Sequence, residues 1–187
     1  MSLKTVLITG ANRGIGFQLC KLYGRSGEWK VIATCRSPEV SEELQSFSEK
    51  MQGRVTIKKL DVGNSDSVSS LVTDLENKTI DLLINNAGIM GGSRQSMMDM
   101  DFAQWAETLN INTMGPLRMV QGFLSNLKQS TNPKIITISS QMGSMSRLGQ
   151  GSYAYRSSKS AVNKVMQTLA KDLEGENICV ALFHPGW

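Results

Sequence analysis

Thr5-Val6-Leu7-Ile8-Thr9 is a short apolar run that closes in Gly10-Ala11-Asn12-Arg13-Gly14-Ile15-Gly16, after which Ile15, Leu19, Leu22 and Tyr23 recur at helical spacing. The pattern is strand, glycine turn, helix. Glycines let the backbone turn tightly and let a ligand approach, while free N–H groups at a helix start offer hydrogen bonds to a phosphate. Between a first strand and a first helix this points to dinucleotide binding, with Gly10, Asn12, Arg13, Gly14, Ile15 and Gly16 around the phosphates. A plain glycine turn is the alternative.

The rest of the chain repeats the strand–helix rhythm. Residues 30–35 are the second strand, and at its end, where an NAD site would place an acidic residue for the ribose 2′-hydroxyl, stands Arg36. Together with Arg13 it offers two guanidinium forks to a 2′-phosphate, which favours NADP(H); two solvated surface arginines are the alternative. A helix carrying Leu44, Phe47 and Met51 leads to residues 55–60, which alternate apolar and polar as an edge strand does. They end at Asp61-Val62, where the Asp either accepts from an adenine amino group or opens a turn. Val68, Leu71, Val72 and Leu75 form a helical stripe, and residues 80–84 are a fourth strand opening into Asn85-Asn86-Ala87-Gly88. This alternation predicts a doubly wound parallel sheet with ligands beyond the carboxyl ends of its strands.

Residues 91–98 are small, polar or flexible and read as a loop. Helical spacing resumes with Phe102, Trp105 and Leu109 and again with Leu117, Val120, Leu124 and Leu127, around Asn112-Thr113-Met114-Gly115-Pro116. Glycine and proline there imply a kink, where Asn112 either holds a water or caps the second helical piece. Residues 134–138 are the fifth strand and deliver Ser139 and Ser140 to the same edge. A helix from Tyr153 buries Val162, Val165, Met166, Leu169 and Leu173, and residues 178–183 form a sixth strand before His184-Pro185-Gly186-Trp187. On that helix Tyr155 and Lys159 share a face, so that a phenol lies beside an ammonium. A positive charge held near a tyrosine favours its phenolate, which proton exchange at neutral pH requires. A partly buried Tyr with a solvated Lys is the alternative.

Composition narrows the function classes. With 187 residues, 40% hydrophobic and 19% charged, the chain fits one domain with a sizeable core, neither disordered nor membrane-spanning. The start shows no signal peptide, which makes a cytoplasmic location the expectation. The net charge of +4 comes from dispersed residues whose longest basic run is Lys58-Lys59, so no nucleic-acid partner is expected. Cys20, Cys35 and Cys179 lack the spacing of a zinc site or a disulfide framework and read as buried thiols; no metal is expected.

Thr9-Gly10-x-x-x-Gly14-x-Gly16, Asn85-Asn86-Ala87-Gly88, Asn112-x-x-Gly115, Ser140-x-x-Gly143, Tyr155-x-x-x-Lys159 and Pro185-Gly186 together resemble the short-chain dehydrogenase/reductase family over the whole chain. Thr34-Cys35-Arg36, Tyr153-Ala154-Tyr155-Arg156-Ser157-Ser158-Lys159 and His184-Pro185-Gly186-Trp187 look like the branch of sniffer-type carbonyl reductases and C-factor-like proteins. The resemblance implies that residues 1–187 form one Rossmann-type NAD(P)-binding domain that moves hydride between nicotinamide and a carbonyl or alcohol. It also assigns roles. Tyr155 would protonate the carbonyl oxygen and Ser140 would hydrogen-bond it, whereas Ser139 points to the opposite face by strand alternation. Lys159 would favour the Tyr155 phenolate and bind the nicotinamide ribose, with Asn112 holding a relay water. Asp61, Val62, Asn86, Ala87, Gly88, Pro185 and Gly186 would join Tyr155 and Lys159 in the cofactor set.

Family members continue past Pro-Gly-Trp into a nicotinamide-contacting segment, a substrate-covering loop and a seventh strand. This chain is therefore expected to be incomplete at its C-terminus, with homo-oligomers belonging to a full-length parent. Two further readings stand beside a carbonyl reductase: a C-factor-like signalling or interaction protein that keeps the fold, and an inactive truncated product. Met90, Met97, Met98, Met142 and Met145 suit either a permissive apolar pocket or core filling, and His184, the single histidine, reads as structural.

Overall fold

The computed structural model describes residues 3–186. Met1 and Ser2, which lead into the first strand, and Trp187, which ends the last motif, lie outside the described residues. The apolar runs form β1 (Lys4–Thr9), β2 (Trp29–Cys35), β3 (Val55–Lys59), β4 (Leu82–Asn85), β5 (Lys134–Ile138) and β6 (Cys179–Phe183). They pair in parallel in the order β3-β2-β1-β4-β5-β6. The intervening segments carry α1 (Gly14–Arg25), α2 (Glu42–Lys50), α3 (Ser65–Asp74), α4 (Phe102–Leu109), α5 (Gly115–Lys128) and α6 (Tyr153–Asp172). This is the expected doubly wound sheet, with β3 at an edge. Strand order reverses between β1 and β4, so the loops after these two strands diverge and open a crevice at the carboxyl edge.

Both faces of the sheet are buried. Leu7, Ile32, Leu83 and Ile135 pack with Val68, Leu71, Phe123 and Leu127, while Val6, Ile8, Val31 and Ile84 pack on the other side with Phe17, Cys20, Leu44 and Phe47. Alternate residues of one strand thus serve opposite layers, which is why the central strands read as continuous apolar runs.

Three expectations change. The buried face of α1 is Gly16, Phe17, Cys20 and Gly24, whereas Ile15 and Leu22 are exposed. Half of that face is glycine, which lets the helix sit close to its neighbours and hides it from a search for apolar spacing. The break between α4 and α5 is a π-helical turn, Asn110–Met114, and Pro116 follows as the second residue of α5, with no N–H to give back to the carbonyls of that turn. Asn112 does not cap the second piece. Finally, Cys20 and Cys35 are buried, and burial pushes the Cys20 thiol up to about 12, but Cys179 is exposed because β6 is the other edge of the sheet.

Candidate functional site

The crevice between β1 and β4 is a groove of about 440 Å³ whose two walls are stapled together. Thr9 Oγ1 accepts the backbone N–H groups of Asn86 and Ala87, each at 3.0 Å. In return Asn86 Nδ2 donates to the carbonyls of Thr9 at 2.9 Å and Gly10 at 3.1 Å. Gly16 lies where these pieces meet: a Cβ there would stand 2.2 Å from Gly10 O and 2.4 Å from Asn86 Nδ2. Neither neighbour can retreat without breaking the staple. Gly16→Ala is therefore expected to cost about 2 kcal/mol and to spoil the groove, read as a lowered urea midpoint together with weakened dinucleotide binding; an unchanged midpoint would refute the close approach.

The groove is built for a phosphorylated ligand. Arg13 is the N-cap of α1, without a side-chain cap bond and with no acidic residue in the first turn, so the helix start keeps its N–H groups for an anion. Arg13 and Arg36 are both exposed and line the groove, making its β2 end positive. Across from them, Asp61 Oδ1 accepts the Gly63 N–H at 2.9 Å, and the Asp61 N–H bonds Ser67 Oγ at 2.9 Å. That holds the carboxylate against the lining with one oxygen left over. Gly10, Asn12, Gly14 and Ile15 line the groove from the β1 side, and Val62, Asn86, Ala87 and Gly88 from the other. A cradle closed to any side chain at Gly16, an open helix start, paired guanidinium groups and an oriented carboxylate together fit a dinucleotide with an extra phosphate. Pro185 and Gly186 follow β6, exposed, and do not line this groove.

A second group of residues adjoins Gly88, where a Cβ would lie 3.7 Å from Lys159 Nζ. Lys159 is 5% exposed, its Nζ donates to Ile138 O at 2.9 Å, and it stands 5.7 Å from the Tyr155 ring centroid. Burial lowers its pKa from 10.5 to about 8, so the ammonium is retained at neutral pH at a cost. Ser140 Oγ accepts the Met142 N–H at 3.1 Å, which leaves its own hydrogen to point elsewhere. The turn it caps ends at Gly143, which packs on the Lys159 backbone so closely that a Cβ would come within 2.6 Å of the Lys159 carbonyl carbon. Ser140 and Lys159 are thereby held on one unit. Ser139, expected on the opposite face by strand alternation, instead reaches the same helix as Lys159: it is buried and its Oγ donates to Asn163 Oδ1 at 2.5 Å, which uses up its hydrogen.

Asn112 is buried and its carboxamide is bonded through both atoms: Oδ1 accepts the Ile89 N–H at 2.8 Å, and Nδ2 donates to Ile89 O at 2.8 Å and to Ser158 Oγ at 3.0 Å. It ties the loop after β4 to α6. Sequence reasoning quoted Thr9 and Ser158 within motifs without giving them a role and passed over Gln95; all three hold the site by hydrogen bonds to backbone. A Ser one residue from the Lys of a Tyr-x-x-x-Lys pattern carries a weak signal; a Gln inside a polar loop carries none. Of the methionines, Met90, Met97, Met98 and Met145 are exposed, so core filling is not their role.

Residues 4–187 match the family described as short chain dehydrogenase. The chain is 39% identical to C-signal of Myxococcus xanthus over 109 residues, 58% of this chain and 65% of that protein, so the match covers less than two thirds of its relative's length. Its fold superimposes with a TM-score of 0.91 on the NADPH-bound carbonyl reductase from chicken fatty liver, 30% identical, covering 100% of this chain and 81% of that one. Carbonyl reductase Sniffer of D. melanogaster gives the same TM-score, 0.91, at 30% identity, covering 100% and 82%.

Proposed function

The chain belongs to the short-chain dehydrogenase family, and from that premise we propose that it is an NADP(H)-dependent oxidoreductase acting on a small carbonyl or alcohol. The observation that carries the reading is the buried Lys159 beside Tyr155, on a helix against which the Ser140 turn is packed, next to a phosphate-suited groove. NADPH in the groove would supply the hydride.

In the reducing direction the Tyr155 hydroxyl gives its proton to the carbonyl oxygen, so that hydride and proton together make the alcohol. Ser140 spends its free hydrogen on the same oxygen and stabilises the charge that develops there. Lys159 holds a positive charge close to the phenol as it loses its proton. Asn112 serves by fixing Ile89 and Ser158, and its Oδ1, which accepts one hydrogen bond and can accept a second, would hold the relay water between Lys159 and solvent. Arg13 and Arg36 would hold the 2′-phosphate, Asp61 and Val62 the adenine end, and Asn86, Ala87 and Gly88 the middle of the cofactor, with Pro185 and Gly186, outside the groove, toward its nicotinamide end.

A screen of ketones and aldehydes for substrate-dependent NADPH oxidation, with NADH as the control, tests the reading; inertness toward all of them would overturn it. Cofactor choice has a sharper test. Arg13→Ala and Arg36→Ala are each expected to weaken NADPH binding by about 10-fold or more, the worth of one charge-assisted phosphate contact, and to leave NADH binding unchanged in fluorescence titrations. Equal losses for both cofactors would remove the 2′-phosphate assignment. The C-signal likeness favours a second reading, a signalling protein on the same fold.

A further inference from the structure

Gln95 is buried in the middle of an exposed segment, residues 93–99, and its carboxamide is used on three sides. Nε2 donates to the carbonyls of Met90 at 2.8 Å and Gly92 at 2.7 Å, and Oε1 accepts the backbone N–H of Tyr155 at 3.2 Å, 60 residues away in sequence. The helix that receives this bond lacks a cap of its own. Ser152, at the N-cap of α6, is left-handed with φ 52° and ψ 39° and makes no side-chain cap bond. A helix start needs acceptors for its first N–H groups, and an ordinary N-cap side chain serves the second or third of them. Tyr155 is the third residue of α6.

We propose that Gln95 is a positioning residue for the reaction: it caps α6 from a distant loop and so fixes the turn from which Tyr155 reaches the reacting oxygen. The inference rests on the reading of Tyr155 as proton donor. Other contacts hold the helix further along. Ser158 is tied to Asn112 and Thr113, and Lys159 to Ile138, so these groups stay in place without Gln95. In the first turn, Ser157 and Ser158 hold the carbonyls of Tyr153, Ala154 and Tyr155, but the Tyr155 N–H takes its side-chain acceptor from Gln95, and Ser152 before it sits in a strained backbone region. Loss of Gln95 should therefore displace Tyr155 while sparing the cofactor groove.

Two variants separate positioning from general packing. Gln95→Met removes acceptor and donors at similar volume. Gln95→Glu keeps an acceptor for the Tyr155 N–H but sets it against the Met90 and Gly92 carbonyls, so a purely structural role makes it at least as harmful as Met. The expected result is a kcat lowered about 10- to 100-fold in Gln95→Met with unchanged NADPH Kd, and a kcat largely retained in Gln95→Glu even though both variants lose stability. Hydrogen exchange of the Tyr155 amide should be slow in the wild type and Gln95→Glu and fast in Gln95→Met. Equal kcat losses in the two variants, or unaltered Tyr155 exchange in Gln95→Met, would overturn the proposal. A wild type inert toward every carbonyl sinks the reaction instead; amide exchange still decides the cap, acceleration in Gln95→Met upholding it and no change overturning it.

Discussion

Tyr155→Phe is expected to lower carbonyl-dependent NADPH oxidation by about 10³-fold and to leave NADPH affinity and thermal midpoint near those of the wild type. The variant keeps the ring, and with it the packing 5.7 Å from Lys159 Nζ, and removes only the oxygen that carries the proton. The backbone bond from Tyr155 to Gln95 is unaffected, because it uses the amide. Among the described residues the phenol oxygen has no bonded partner, so its removal leaves no buried group stranded. The alkoxide formed by hydride arrival would then have to take its proton from water. Single-turnover measurement of cofactor oxidation checks this, and a variant that turns over normally means the proton comes from elsewhere. The same variant separates the enzyme from the signalling protein, since a cellular role that outlives turnover favours the latter.

Lys159→Met is expected to lose turnover by about 100-fold or more and, at pH 7 without cofactor, to be more stable than the wild type. Holding the ammonium in a site that lowers its pKa from 10.5 to about 8 costs about 3 kcal/mol. Methionine avoids that cost but strands the Ile138 carbonyl, worth about 1–2 kcal/mol, so a net gain of about 1–2 kcal/mol remains. The folded pKa lies below the unfolded one, so between about 8 and 10.5 the unfolded chain holds a proton that the folded chain has released. Wild-type stability from this group therefore rises with pH across that window, and below about 8 the penalty is constant. The variant's advantage should shrink above pH 8, vanish within about 1–1.5 pH units, and by about 10.5 be reversed, because the stranded carbonyl remains. Urea unfolding of both proteins at three pH values within and below the window decides it; a variant less stable at pH 7 would mean that the site does not oppose the charge.

The glycine triplet, Arg36, Asn85-Asn86-Ala87-Gly88 and the Tyr155–Lys159 pair were readable in the chain because each is a local pattern of residue types at fixed spacing. The six strands were readable for the same reason: apolar runs cut by turn residues leave few other assignments. What stayed hidden depends on contacts between distant segments. The buried face of α1 is half glycine and escapes any search for apolar spacing. The π turn has the composition of an ordinary kink, and its width becomes visible only when Asn112 is seen reaching back to Ile89. Gln95 resembles any loop glutamine until the bare start of α6 is brought beside it. Exposure of Cys179 follows from the place of β6 at the sheet edge, a property of strand order rather than of the strand.

The staple between Thr9 and Asn86 also sets an order of events when the chain folds. Its bonds join residues 76 to 78 positions apart, and β1 must find β4 across the whole of β2, β3 and the helices between them. A strand–helix–strand unit made of β1, α1 and β2 can form early from local contacts, but it presents the glycine loop without its opposite wall. The cofactor groove cannot be complete until β4 docks, so a nascent chain released before that strand has emerged is blind to the ligand that would stabilise it.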